Sequence, residues 1–160
     1  MAKDYVTESS SQLIDMANKD IVQIISAVNN REYPVEYSYE NICFHATQAV
    51  EKYLKGYIVG SNKNVEKIHN LTYLRKSAEN IDKNFIKIEN ECFLLNKYAF
   101  AKYGFEQKIT DKEVSDVLKA LITIYEFEPL QKIRERFESE GKIIKLIDVK
   151  NKLLNKDKRP

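Results

Sequence analysis

The chain has 160 residues, 43% of them hydrophobic and 31% charged, with only 4 Gly and 3 Pro. That length suits one domain with a real core, and so few turn residues exclude a sandwich or barrel of many short strands and a low-complexity linker. The 26 basic and 24 acidic residues leave a formal charge of +2, which names no partner. Two cysteines are too few for a disulfide framework and read as reduced thiols of a cytoplasmic protein. The start MAKDYVTESSSQ has no apolar stretch, and no run nears about 18 apolar residues, so neither a signal peptide nor a membrane span is expected.

From Ser10 to about Asn30, the residues Leu13, Ile14, Ala17, Ile21, Ile24, Ile25 and Val28 fall within about 120° on a helical wheel. Serines at 9 to 11 supply the cap and Asn29-Asn30 the stop. After a connection containing Pro34, a second helix is predicted from about Ser38 to Val59. Its broad apolar face is Ile42, Ala46, Ala49, Val50, Tyr53, Leu54 and Tyr57. Opposite lie His45, Gln48, Lys52 and Lys55, within about 80° of one another. Gly56 to Gly60 (GYIVG) has the small-xxx-small form, read here as a helix end and not as a packing motif.

A short helix capped by Asn70 should carry Leu71, Leu74 and Ala78 inward. Another is predicted from about Asn84 to Ala101 through Phe85, Ile88, Cys92, Leu95 and Ala99, with aromatic residues crowding its end at 98–105 as core packing. Thr110 and Glu113 have capping-box spacing, each able to bond the other's amide. The helix they start carries Val114, Val117, Leu118, Leu121, Ile122 and Tyr125. Pro129 then marks a kink or the start of a new helix, which runs to Gly141. Residues 143–154 fit either a terminal strand or a helical turn. The chain therefore divides into a bundle over 1–141 and a basic tail over 142–160, where seven Lys/Arg face two Asp. Such a tail can contact nucleic acid or an acidic partner, or be a solvated, frayed end. The fold class is all-α: an up-and-down bundle of about five helices with an extra C-terminal helix or tail.

Catalytic signatures are missing. The four glycines are scattered, so no phosphate loop exists, and no CxxC, HxxxH or HExxH spacing offers a metal site. No metal or cofactor is expected. Cys43 and Cys92 lie on apolar stripes as structural thiols. His45 sits on the polar face of the second helix and His69 at a helix start, neither with an Asp, Ser or Cys partner that spacing makes obvious.

The second helix and the segments after it resemble the HEPN family (higher eukaryotes and prokaryotes nucleotide-binding domains). Members often carry a QA-x-EK-x-x-K helix core, matched by Gln48-Ala49-Val50-Glu51-Lys52-Tyr53-Leu54-Lys55, then an H-[DN]-L helix start, matched by His69-Asn70-Leu71. A third element, an Arg-Tyr-Pro-like segment, looks like Ala101-Lys102-Tyr103-Gly104, with Lys102 for Arg and Gly104 for Pro. The resemblance spans about residues 10–128. HEPN ribonucleases use an Arg followed four to six residues later by His, and no Arg stands in that window before His45 or His69.

The resemblance implies a helical bundle, frequently a homodimer, often encoded beside or fused to a minimal nucleotidyltransferase. It implies a non-catalytic module that binds such a partner protein or a nucleotide-like ligand, with His45, Gln48, Lys52, Lys55 and Lys102 as the candidate binding residues. Self-association is also expected from apolar residues beyond one face of the second helix, Phe44 and Ile58 among them. Two alternatives stand beside this: a purely structural dimerisation domain whose polar stripe is only a solvated face, and a divergent metal-independent ribonuclease toxin in which His45 and Lys52 act as base and cation. Nucleic acid is a weaker partner expectation, and a membrane is not expected.

Overall fold

The structure, a computed structural model, describes residues 2–29, 35–99 and 108–154. Two long helices form its spine: α1, Ser10–Asn29, and α2, Val35–Gly60. Ser9 caps α1 by accepting from the amide of Gln12, while the Gln12 side chain returns a bond to the Ser9 amide. The predicted stripe of α1 is buried against α2, from Leu13 and Ile14 to Val28. Before α1, the N-terminal residues run beside the loop after α2 and make one isolated antiparallel bridge, Tyr5 with Glu66.

Around α2 are packed α3 (Leu71–Glu79), α4 (Glu89–Asn96), α5 (Asp111–Tyr125) and α6 (Glu128–Ser139). With α1 on one side and these four on the others, α2 is the central helix. No strand occurs among the described residues, so the molecule is an all-α helical bundle. The chain ends its described part with a five-residue helix, α7, Val149–Leu153.

Local chemistry accounts for the boundaries. Asn70 caps α3 by accepting from the Tyr73 amide, as its position predicts. The predicted helix from Asn84 divides into a 3-10 segment, Lys83–Ile88, and then α4. Asp82 caps the 3-10 segment through the Asn84 amide. Phe85 and Ile88, three residues apart, share one face of this segment and are both buried. Thr110 caps α5 through the Glu113 amide. The reciprocal half of the capping box takes another form, because the Glu113 carboxylate accepts from the Tyr98 hydroxyl at 2.9 Å and from the Thr110 hydroxyl at 3.4 Å. Pro129 sits in the first turn of α6, so the interruption is a helix break and not a kink.

Two expectations change. GYIVG is a packing motif as well as a helix end. A Cβ on Gly56 would come within 2.7 Å of Ile14 Cδ1, and one on Gly60 within 2.7 Å of Ser10 Oγ and 2.8 Å of Ile133 Cδ1. The four-residue spacing puts both glycines on one side of α2, and the Ser10 hydroxyl donates to the Gly56 carbonyl at 2.6 Å. The second change concerns the C-terminal segment. Ile143, Val149 and Leu153 are buried, and α7 lies on α1, so residues 142–154 are packed on the bundle and not frayed. Residues 155–160 lie outside the described ones. Ile58, offered as part of a self-association surface, is only 2% exposed within one chain, and Phe44 is half-buried with its ring against that of His45. The large apolar side chains that do face outward include Phe93 on α4 and Ile144 and Ile147 before α7.

Candidate functional site

The polar stripe of α2 is only partly exposed to solvent. His45, Gln48 and Lys52 are half-buried and Lys55 is only 5% exposed, because α1 and the loop before α3 close over that side of the helix. The stripe is an inter-helix seam, and two carboxylates organise it.

Asp20 of α1 is the first. Its Oδ1 lies 2.9 Å from His45 Nδ1, and its Oδ2 accepts from Lys52 Nζ at 2.7 Å. His45 and Lys52 are seven residues apart, two helical turns, so both point at the same place on α1. Glu51 is the second. Its Oε1 lies 2.9 Å from His69 Nδ1, and its Oε2 accepts from Lys55 Nζ at 3.0 Å. The two arrangements match in chemistry: one carboxylate, one lysine on α2 and one imidazole bound through Nδ1. A carboxylate can only accept, so each Nδ1 carries a proton, which leaves Nε2 as the ring atom able to meet another group. Neither Nε2 has a hydrogen-bond partner among the described residues.

Burial separates the members. Asp20 and Glu51 are buried, as is Lys55, whereas His69 has 64% of its side chain exposed. Lys55 is thus consumed in holding Glu51 and has little surface to offer a ligand. His45, Gln48, Lys52 and His69 keep partial or full access. Of the predicted site residues, the structure brings His45 and Lys52 onto one carboxylate, with Gln48 between them along the helix, and places Lys55 on another. Lys102 and the Arg-Tyr-Pro-like segment 101–104 lie outside the described residues. So do Phe100, Tyr103 and Phe105 of the aromatic cluster, while Tyr98 is buried against Glu113 as core.

Sequence reasoning passed over Asp20, Glu51 and the role of His69. A signal for Asp20 existed: an acid one turn after Met16 and one before Ile24 sits on the edge of the apolar stripe of α1, where burial demands a partner. Glu51 and Lys55 show i, i+4 spacing.

Behind the seam lies a second polar group. Tyr53 is fully buried, and its hydroxyl donates to Asn18 Oδ1 at 2.5 Å, while Asn18 Nδ2 donates to the Ile144 carbonyl at 3.3 Å. The buried Arg134 of α6 lies over the Tyr125 ring, 3.6 Å from its centroid, and donates to the Tyr125 carbonyl. Burial pushes the Tyr53 phenol well above its ordinary value, the nearby Arg134 charge only partly offsetting this. Burial likewise pushes the thiols of Cys43 and Cys92 up to about 12, so both stay protonated and inert at neutral pH. No group of three or more His, Cys, Asp or Glu suited to a metal ion occurs among the described residues. No helix of the described residues is long and apolar enough to cross a membrane.

The fold and the seam together define a class: a helical-bundle module with a central helix whose polar side is neutralised by one acid from α1 and one of its own. The HEPN domain family model matches residues 10–133, and the chain belongs to the HEPN family. The match takes in α1 to the first turns of α6, both carboxylate groups included. Comparison with curated proteins and with solved structures gave no match.

Proposed function

We propose that the chain is a non-catalytic HEPN module that binds, through the exposed edge of the α2 seam, an anionic group of a nucleotide-like ligand or of a partner protein such as a minimal nucleotidyltransferase. The observation that carries this reading is the pair of imidazoles anchored through Nδ1 by buried carboxylates, with Nε2 left unbonded among the described residues. A ring held this way is preorganised to contact an incoming group, and Lys52 beside His45 adds a point charge. Lys55 drops out of the contact surface because of its burial. A purely solvated stripe is hard to reconcile with these buried ion pairs.

The experiment is a titration of the purified chain with nucleotides, and with a nucleotidyltransferase encoded beside it. His45→Ala, Lys52→Ala and His69→Ala should each weaken binding. Unchanged affinity in all three defeats the proposal.

A second reading has one specific observation in its favour. Asp20 bonded to His45 Nδ1 is how a carboxylate orients a general base, with Lys52 at the same carboxylate. A divergent ribonuclease would use His45 Nε2 to activate a 2′-hydroxyl. Against it, the Arg that HEPN ribonucleases carry four to six residues before the His is missing before His45. Labelled RNA incubated with the purified chain separates the two, because cleavage abolished by His45→Ala would establish the ribonuclease.

A further inference from the structure

A cleft of about 580 Å³ opens between the C-terminal end of α2, the 3-10 segment and the first turns of α6. It lies on another side of α2 from the seam: Tyr57 on its wall is two residues after Lys55, about 200° round the helix. Its size falls within the range of small-molecule sites.

The wall is built in two parts. One part is aromatic. Phe85, buried behind the cleft, holds the Tyr57 ring at 4.6 Å in a tilted contact and the Phe127 ring at 5.0 Å edge-on. Tyr57 and Phe127 both line the cleft, so two rings stand fixed against a third before any ligand arrives. Gly60 lets α6 approach: a Cβ there would meet Ile133 Cδ1 at 2.8 Å.

The other part is charged, and it carries both signs. Lys87, Lys132 and Arg136 line the cleft together with Asp82 and Glu128. Glu128 and Lys132 largely satisfy each other at 2.7 Å. That leaves Lys87 and the part of Arg136 not engaged with Glu140 as cationic donors. It leaves as acceptor the Asp82 oxygen that does not cap the 3-10 segment. A phosphate dianion would gain from the two cations but would also face two carboxylates. A ligand with one carboxylate and one ammonium meets each sign with its opposite.

From this combination we infer that the cleft binds a small aromatic zwitterion, the chemical class of the aromatic α-amino acids. The ring lies against Tyr57 and Phe127, the carboxylate is received by Arg136 and Lys87, and the ammonium by Asp82. This site is independent of the seam and of the reading given for it.

The chain contains no Trp, so the fluorescence and anisotropy of an indole ligand report its own binding directly. The full chain is titrated with L-tryptophan, with indole-3-propionate, which lacks the ammonium, and with tryptamine, which lacks the carboxylate. Tryptophan should bind saturably, and each single-charge analogue about tenfold more weakly. Arg136→Ala should weaken tryptophan and indole-3-propionate but not tryptamine. Asp82→Asn, which keeps a side chain able to cap the 3-10 segment, should weaken tryptophan and tryptamine but not indole-3-propionate. Equal affinity for the three ligands, no saturable binding of tryptophan at millimolar concentration, or displacement of it by a nucleoside monophosphate of higher affinity would each overturn the assignment.

Discussion

At Asp20 two side chains of α2 converge on one carboxylate that is almost out of water. Removing the acid leaves Lys52 and His45 facing each other in a half-buried seam, and an uncompensated charge there is costly. Asp20→Ala should lower stability by about 3 kcal/mol in urea unfolding, and Asp20→Ala with Lys52→Met should recover part of the loss. If the single variant is as stable as the parent, the pair is a surface feature and not a structural one. The thiols give a test with a direction in pH. Burial raises Cys43 and Cys92 from the ordinary 9.0 to about 12. The unfolded chain therefore releases these protons near pH 9 while the folded chain keeps them to about pH 12. Stability from this source is intact below about pH 9 and falls above it, by up to about 1.4 kcal/mol per pH unit for each thiol. The Cys43→Ala/Cys92→Ala variant should show a shallower decline between pH 9 and 11, and the native parent at pH 8 should resist thiol reagents. A parent that labels as fast as its unfolded form would refute the burial.

Elements meet where glycine permits. Gly56 and Gly60 bring the start of α1 against the end of α2, and Gly60 also admits Ile133 of α6. Gly60→Ala has two expected effects of opposite sign: a helix former is gained, and side-chain tips of Ser10 and Ile133 must move aside. The second should win because two helices press on the same point, giving a net loss of about 1–2 kcal/mol in thermal or urea unfolding. Gly56→Ala meets Ile14 at 2.7 and 3.0 Å and Leu13 Cβ at 3.4 Å, and should lose a comparable amount. A rise in melting temperature for either would mean that α1 and α2 are free to separate. At the start of α5, Thr110→Ala removes the acceptor for the Glu113 amide and should cost about 1 kcal/mol.

Over the whole molecule, the C-terminal segment behaves as part of the bundle. Ile143, Val149 and Leu153 are buried, and the Ile144 carbonyl closes a chain of hydrogen bonds through Asn18 to Tyr53 in the core. A chain ending at Gly141 loses those three buried side chains and leaves the Asn18 amide without its acceptor. It should be less stable by roughly 3–6 kcal/mol, read as a lower urea midpoint. A truncated form as stable as the parent would show that the segment merely rests on α1.

Much of this architecture was legible without coordinates. The stripe of α1, the Asn70 and Thr110 caps and the helix start at Pro129 each depend on residues within one or two helical turns, and local spacing is what a sequence displays. The HEPN resemblance rests on the same ground, since its motifs lie within single helices or at helix starts. What spacing could not reveal was what lay across from each face. The side of α2 bearing His45, Lys52 and Lys55 is as polar as a solvated face, and only the approach of α1 with Asp20, together with Glu51 and the His69 loop, makes it a seam of paired charges. Glycines at 56 and 60 end a helix by their own backbone freedom, but become packing sites only because Ser10, Ile14 and Ile133 arrive there from distant parts of the chain. Phe85 and Ile88 are buried together at a three-residue spacing that an α-helix and a 3-10 turn both allow, and of 143–154 only Val149–Leu153 is helical, lying on α1. Helix positions in this protein are thus set by local periodicity and capping. The environment of each polar side chain is set by long-range packing, because the cost of burying a charge depends on neighbours that the chain brings in from far along its length.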